Sequence, residues 1–225
     1  MSDAPDPATR DRFGLVLVIL LATVAVGALS FESRVVASIA VLAEAGALLV
    51  IYRVAEVRGR ATLVAVVLVA MAVASLVISV WVGPPEFGSG LQSAVGLLIA
   101  VTGPWVIVRR LARHRTITIH TVAGALCLYL MIGLAVTYLL VLGQRFVDGP
   151  MLLGNVGDPL VLSDAIYFSF ITLTTIGFGD ITPATGLSRA VAMAGGLIGQ
   201  IYLVSAVALL VSNIGRPRSG YREAE

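Results

Sequence analysis

The sequence predicts an all-α membrane protein: six transmembrane helices, with a short re-entrant helix and an extended segment between the fifth and the sixth. Three observations carry that expectation. Of the 225 residues, 58% are hydrophobic and only 12% charged, and the mean hydropathy is +0.99. A water-soluble domain carries about 25% charged residues, so lipid has to be the solvent here. Six stretches are long and apolar enough to cross a hydrocarbon core about 30 Å thick, which takes roughly 20 helical residues. The arginines crowd into alternate loops, the asymmetry that orients spans in a membrane.

The spans are predicted over residues 13–30, 35–52, 61–82, 91–108, 120–142 and 187–212. Arg10 and Arg12 give the first the outline of a signal peptide. However, Val35 opens another apolar run after a very short turn, and cleavage would leave five spans and spoil the charge pattern. One side of the membrane holds Arg10 and Arg12, then Arg53, Arg58 and Arg60, then Arg109, Arg110, Arg113 and Arg115, then Arg216, Arg218 and Arg222. The other holds only Arg34, Arg145 and Arg189. The positive-inside rule puts both termini of a multi-pass cell-membrane protein in the cytoplasm. The net charge of +2 therefore reflects topology, and no nucleic-acid partner is expected. Cys127 lies in an apolar run and is the sole cysteine, so no disulfide is expected. No metal-binding cluster and no nucleophile–base pair is grouped at membrane depth, so the chain is expected not to be an enzyme and to need no cofactor.

Residues 1–12 read as a polar cytoplasmic tail. Residues 13–108 make a four-helix bundle, and Gly103-Pro104 predicts a kink in its last helix, because proline removes a helix hydrogen bond. Residues 109–118 form a cytoplasmic linker whose arginines, from Arg109 to Arg115, set orientation and meet anionic lipid. Residues 119–212 hold the fifth span, the loop and the sixth span, and residues 213–225 are a polar tail too short for a ligand-binding domain. A voltage sensor moves basic side chains through the field, at about 2.3 kcal/mol per charge per 100 mV. Residues 91–108 contain none, so steep voltage dependence is not expected. Glu44 is the one ionisable residue deep within a span and hence a functional candidate. It reads as a proton sensor, as a counter-charge whose arginines are gone, or as a protonated or water-facing acid with no task. His120, at the head of the fifth span, reads as an interfacial anchor.

Between the fifth and sixth spans the pattern changes. Residues 143–162 are punctuated by Gly and Pro and read as an external loop. Residues 163–175 read as a helix too short to cross, with Ser163 or Asp164 capping it. The run Thr174-Thr175-Ile176-Gly177-Phe178-Gly179-Asp180 follows, then Pro183 ahead of the last span. Chain that enters the membrane and leaves it as non-helical backbone is tolerated only where protein or water covers it. A cation stripped of its hydration shell needs oxygens in place of water, and rings of backbone carbonyls from four loops supply them. An ordinary strand alternates its carbonyls. Alternating right- and left-handed residues align them, and glycine, which takes the left-handed well at little cost, stands at Gly177 and Gly179. With one such loop per chain, a homotetrameric pore is expected, each chain having three identical partners. Asp148, Asp158, Asp164 and Asp180 would gather acid around its outer mouth, while Glu32 and Glu86 read as ordinary solvated charges.

The run from Thr172 to Asp180, TLTTIGFGD, resembles the filter of the potassium channel superfamily, and the specific resemblance covers residues 120–212. It implies K+ held by the carbonyls of Thr175, Ile176, Gly177 and Phe178 and by the Thr175 hydroxyl, with Gly179 completing the filter. It further implies filter support from Asp180, Thr174, Tyr167, Phe168 and Ile171, a pore helix over 164–174, a turn at Pro183, and a gating bend at Gly199 eased by Gly195 and Gly196. Residues 13–108 resemble the family's voltage-sensor-like bundle in number and orientation alone. The implied function is a K+-selective channel conducting passively; the alternative is a non-selective monovalent cation channel of the same architecture. The sequence departs from the family in three places. Phe178 stands where many members have Tyr, which removes one hydroxyl tie worth about 0.5–1.5 kcal/mol. Ile171 stands where some have a Glu that pairs with the aspartate matching Asp180. Tyr167 and Phe168 stand where tryptophans are common.

Overall fold

The computed structural model describes residues 13–29, 34–54, 60–82, 85–111, 119–154, 156 and 160–213. Helices dominate the described chain: α1 (Phe13–Ala28), α2 (Arg34–Val54), α3 (Arg60–Val77), α4 (Pro85–Leu111), α5 (Ile119–Gly143), α6 (Leu162–Leu173) and α7 (Gly186–Asn213). α3 runs on into a π-helical turn, Ile78–Val82. Two short strands, β1 (Leu152–Gly154) and β2 (Ile181–Pro183), flank α6.

Segments Gly90–Arg109, Thr121–Gly143 and Gly186–Ala206, within α4, α5 and α7, are each long and apolar enough to cross a membrane. The chain is thus a membrane protein, and these three segments fall on the last three predicted spans. Of the other three, α1 and α3 contribute the shorter apolar stretches Phe13–Ala28 and Thr62–Val77 among the described residues, the latter continued by the π-helical turn. α2 has the length, 21 residues, with Glu44 at its middle and Arg53 in its last turn. The tails, residues 1–12 and 214–225, and the linker residues 112–118 lie outside the described residues. α4 continues to Leu111, so Arg109 and Arg110 belong to the helix and not to the predicted linker. The Arg109 guanidinium lies 4.4 Å from the Trp105 ring centroid, a cation–π contact at this end of the helix. At the predicted kink, α4 passes through Gly103-Pro104 without a break in the helix. One turn back, the Thr102 hydroxyl donates to the Leu98 carbonyl at 2.7 Å.

Apolar packing between helices gains little where lipid is as apolar as leucine, so close approach through small residues and interhelical hydrogen bonds must hold the bundle. Both are present. A Cβ on Gly96 would meet the Tyr138 ring at 2.5 Å, and one on Gly103 would meet Met131 Cε at 2.1 Å; these two glycines let α4 lie flush on α5. The buried Gln92 amide of α4 donates to the hydroxyls of Ser38 on α2 and Ser79 in the π-helical turn, the latter at 2.9 Å. One apolar cluster joins α1 to α5 through Leu20, Leu48, Ile99, Met131 and Tyr138. A second gathers Leu140 of α5, Met151, Leu152, Phe168 and Ile181 around the strands. α7 begins at a reciprocal cap: the Ser188 amide donates to the Thr185 hydroxyl at 3.1 Å, and the Thr185 amide to the Ser188 hydroxyl at 3.0 Å.

Candidate functional site

The site is built on α6. The helix opens with Val161 at the N-cap in extended conformation and no side-chain cap, so neither Ser163 nor Asp164 takes the capping position expected of it. Both fall inside the first turn, where the Asp164 carboxylate faces the positive end of the helix dipole. The helix also stops two residues earlier than predicted, at Leu173. The reason lies in its last four carbonyls, which an α-helix leaves without intrahelical partners. Phe170 O accepts from the Thr174 amide at 2.9 Å and from the Thr174 hydroxyl at 2.6 Å. Ile171 O accepts from the amides of Ile176 and Gly177 at 2.9 and 3.1 Å, and Thr172 O from the Thr175 amide at 3.0 Å. Leu173 O takes the Tyr129 hydroxyl of α5 at 3.1 Å. The amides of residues 174–177 therefore all point back at the helix end.

The handedness of the same segment alternates. Thr175, Gly177 and Gly179 have φ of 62, 51 and 81°. Glycine takes such values readily. For a β-branched residue a positive φ is a genuine outlier, costing about 1–3 kcal/mol and held only where the surroundings impose it. Thr175 was not expected there, yet counting back by twos from Gly179 through Gly177 reaches it. With the amides of Thr175, Ile176 and Gly177 turned to α6, the carbonyls of Thr175, Ile176, Gly177 and Phe178 stay clear of hydrogen bonds from the described residues. Residues 174–180 lie exposed on the single chain.

The outer end of the segment is held in ways the sequence did not announce. β1 and β2 pair antiparallel, with Leu152 opposite Pro183 and Gly154 opposite Ile181, where an irregular loop was predicted. Gly154 has φ 127°, and a Cβ on it would sit 2.2 Å from the Asp180 carbonyl oxygen. The Tyr167 hydroxyl donates to Asp180 Oδ2 at 2.7 Å. Ile171 indeed offers Asp180 no partner, but Tyr167, one helical turn earlier on the same face, takes that place. Phe168 is buried in the cluster of Leu140, Met151, Leu152 and Ile181, on the side of α5 and the strands.

Two other candidates lie apart. Gly199 of α7 packs on the end of α6, where a Cβ would sit 2.3 Å from Leu173 Cδ1. Glu44 of α2 is fully buried, which removes the water-facing reading. Its Oε2 accepts from the Tyr138 hydroxyl of α5 at 2.9 Å, and its Oε1 has no hydrogen-bond partner among the described residues. The pair joins α2 to α5 beside the space left by Gly96. Tyr138→Phe would leave the carboxyl group without any partner out of reach of water and is expected to cost about 1–3 kcal/mol. Combining it with Glu44→Leu should cost less than the two single changes added together. Thermal unfolding of the detergent-solubilised variants measures this, and strictly additive losses would show the two side chains to be uncoupled. Of the outer acids, Glu32 and Asp158 lie outside the described residues, as do the side chains of Glu86 and His120.

A buried short helix followed by alternating-handed chain, set between two long apolar helices, defines the class: a helical membrane protein with a structured loop between two candidate spans. The family model described as "Ion channel" matches residues 124–216, which takes in α6, the loop and α7. Protein LctB of Bacillus caldotenax is 34% identical over 115 residues, covering 50% of this chain and 84% of that protein. The chain belongs to this ion channel family. A protein of Rhodopseudomonas palustris named "Putative potassium channel protein" is 39% identical over 51 residues, 23% of this chain but only 12% of that relative's length. No solved structure matches the chain.

Proposed function

We propose that the chain is one subunit of a homotetrameric, potassium-selective channel that conducts K+ passively through six spans per subunit, with both termini cytoplasmic. The observation that carries this reading is the alternation of left-handed residues at Thr175, Gly177 and Gly179, with a threonine held at positive φ. That backbone turns the carbonyls of Thr175, Ile176, Gly177 and Phe178 the same way, as dehydrating a cation requires. In this reading those carbonyls and the Thr175 hydroxyl bind K+, Gly179 and Asp180 shape the outer exit, and Thr174 and Ile171 hold the filter to α6.

Two observations support the copies. Non-helical backbone at membrane depth needs protein or water over it, and residues 174–180 are uncovered in one chain. α7 likewise presents Met193, Leu197, Ile201 and Val204, each more than half exposed, at helical spacing. Three further chains around an axis through the loops would cover both. The bundle is a passive scaffold in this reading, since residues 91–108 carry no basic side chain to move, and the open probability depends only weakly on voltage.

The test is the reversal potential of the purified full chain in liposomes with potassium inside and sodium outside. A value near the potassium equilibrium potential is expected. A clear current reversing near zero would overturn potassium selectivity and leave the non-selective cation channel.

A further inference from the structure

Three of the four carbonyls that end α6 are closed by the loop that follows; the fourth is closed from outside. Leu173 O accepts from the Tyr129 hydroxyl of α5, and a buried backbone carbonyl without a partner is a costly orphan. The Tyr129 ring stacks on Tyr202 of α7, with centroids 6.3 Å apart and an interplanar angle of 27°, within the range where aromatic pairs gain more than their buried area. The Tyr202 hydroxyl donates back to the Ala125 carbonyl of α5 at 2.7 Å. The Tyr202 hydroxyl thus ties α7 to α5, and the Tyr129 hydroxyl ties α5 to α6.

We propose that Tyr129 is a positioning residue of the filter. It fixes the Leu173 carbonyl, and with it the end of α6 to which residues 174–177 are bonded, and its stack on Tyr202 ties that hold to the seat of α7. The inference rests on the reading of residues 175–179 as a filter. The bonds from residues 174–177 all hold the helix end from the loop side, whereas Tyr129 gives it a hydrogen bond from α5. Thr175 keeps its strained φ only while the residues around it stay in place.

Tyr129→Phe and Tyr202→Phe each delete one hydroxyl from the same pair of helices and keep both rings; only the first unties α6. In liposomes the full-length Tyr129→Phe channel is expected to show its K+/Na+ permeability ratio lowered about three-fold, the factor matching an average interhelical hydrogen bond in a membrane bundle. Tyr202→Phe should leave the ratio unchanged although its unfolding temperature falls comparably. An unchanged ratio in Tyr129→Phe, or equal changes in both variants, overturns the proposal. If Tyr129→Phe does not assemble, Tyr202→Leu, which removes the stack and spares the Tyr129 hydroxyl, is expected to lower the ratio; an unchanged value there also overturns it. The wild type separates the two readings. Reversal near zero in the wild type overturns potassium selectivity, whereas Tyr129 is judged by the difference between the two phenylalanine variants in permeability ratio and unitary conductance, whichever ion the wild type prefers.

Discussion

Gly154→Ala is expected to cost the protein both stability and selective conduction. Two penalties coincide at this position. A φ of 127° is a conformation an L side chain takes only at about 1–3 kcal/mol. The new Cβ would also lie 2.2 Å from the Asp180 carbonyl oxygen, a backbone atom that cannot swing aside as a side-chain end can, and such overpacking costs about 1–3 kcal/mol more. Relief has to come from parting β1 and β2 or from moving Asp180. Either shift breaks the seat of the segment's outer end, because Asp180 is held on one side by the strand pair and on the other by Tyr167. Thermal unfolding and the potassium-against-sodium reversal potential should therefore fall together. Leu153→Ala, at a half-exposed neighbour on the same strand, should leave both close to wild type. A Gly154→Ala protein with unchanged unfolding temperature and unchanged reversal potential would show that the strand pair does not bear on the loop.

The parts of this architecture that were legible in the sequence are the local ones. α5 and α7 are long, mainly apolar runs, and a short helix between them followed by Gly177 and Gly179 is what predicts a re-entrant loop, because both signals lie within a few residues. Thr175 was legible in principle from the two-residue period of the glycines, but a threonine gives no propensity signal for a positive φ. The partnerships were not legible. β1 and β2 are three residues each and pair across the whole of α6, too short for an alternating pattern to show. Tyr138 finds Glu44 across 94 positions, and Tyr129 finds Leu173 across 44; such pairs are set by how helices stack, which no local pattern encodes. The cap at α6 failed for a related reason. Ser163 and Asp164 have the chemistry to start a helix, but Val161 and Leu162 were drawn into the turn ahead of them, where Leu162 packs against the cluster of α1 to α5.

Gly199→Ala is the experiment on which the sequence and the structure give different reasons for the same loss. From the sequence, Gly199 is a place for α7 to bend, and losing the bend would change gating. In the structure, its missing side chain is the room that Leu173 occupies: a Cβ would meet Leu173 Cδ1 at 2.3 Å, Cγ at 2.9 Å and the Leu173 carbonyl oxygen at 3.4 Å. Alanine there is expected to push α7 away from the end of α6 at a cost of about 1–3 kcal/mol and to disturb conduction through the residues that hang from that end. The two reasons part in a double variant. Leu173 is buried, so Leu173→Ala alone should cost about 2–5 kcal/mol through the cavity it leaves. If contact is what Gly199 serves, the methyl group introduced by Gly199→Ala moves into part of that cavity. The double variant is then more stable than the sum of the single changes predicts by about 0.5–3 kcal/mol, the range found for residues in contact. Its reversal potential should also recover relative to Gly199→Ala. If bending is what Gly199 serves, shrinking Leu173 restores nothing, because the lost freedom belongs to the backbone of α7 itself. Losses that simply add, with gating as impaired in the double variant as in Gly199→Ala, would return Gly199 to the role of a hinge.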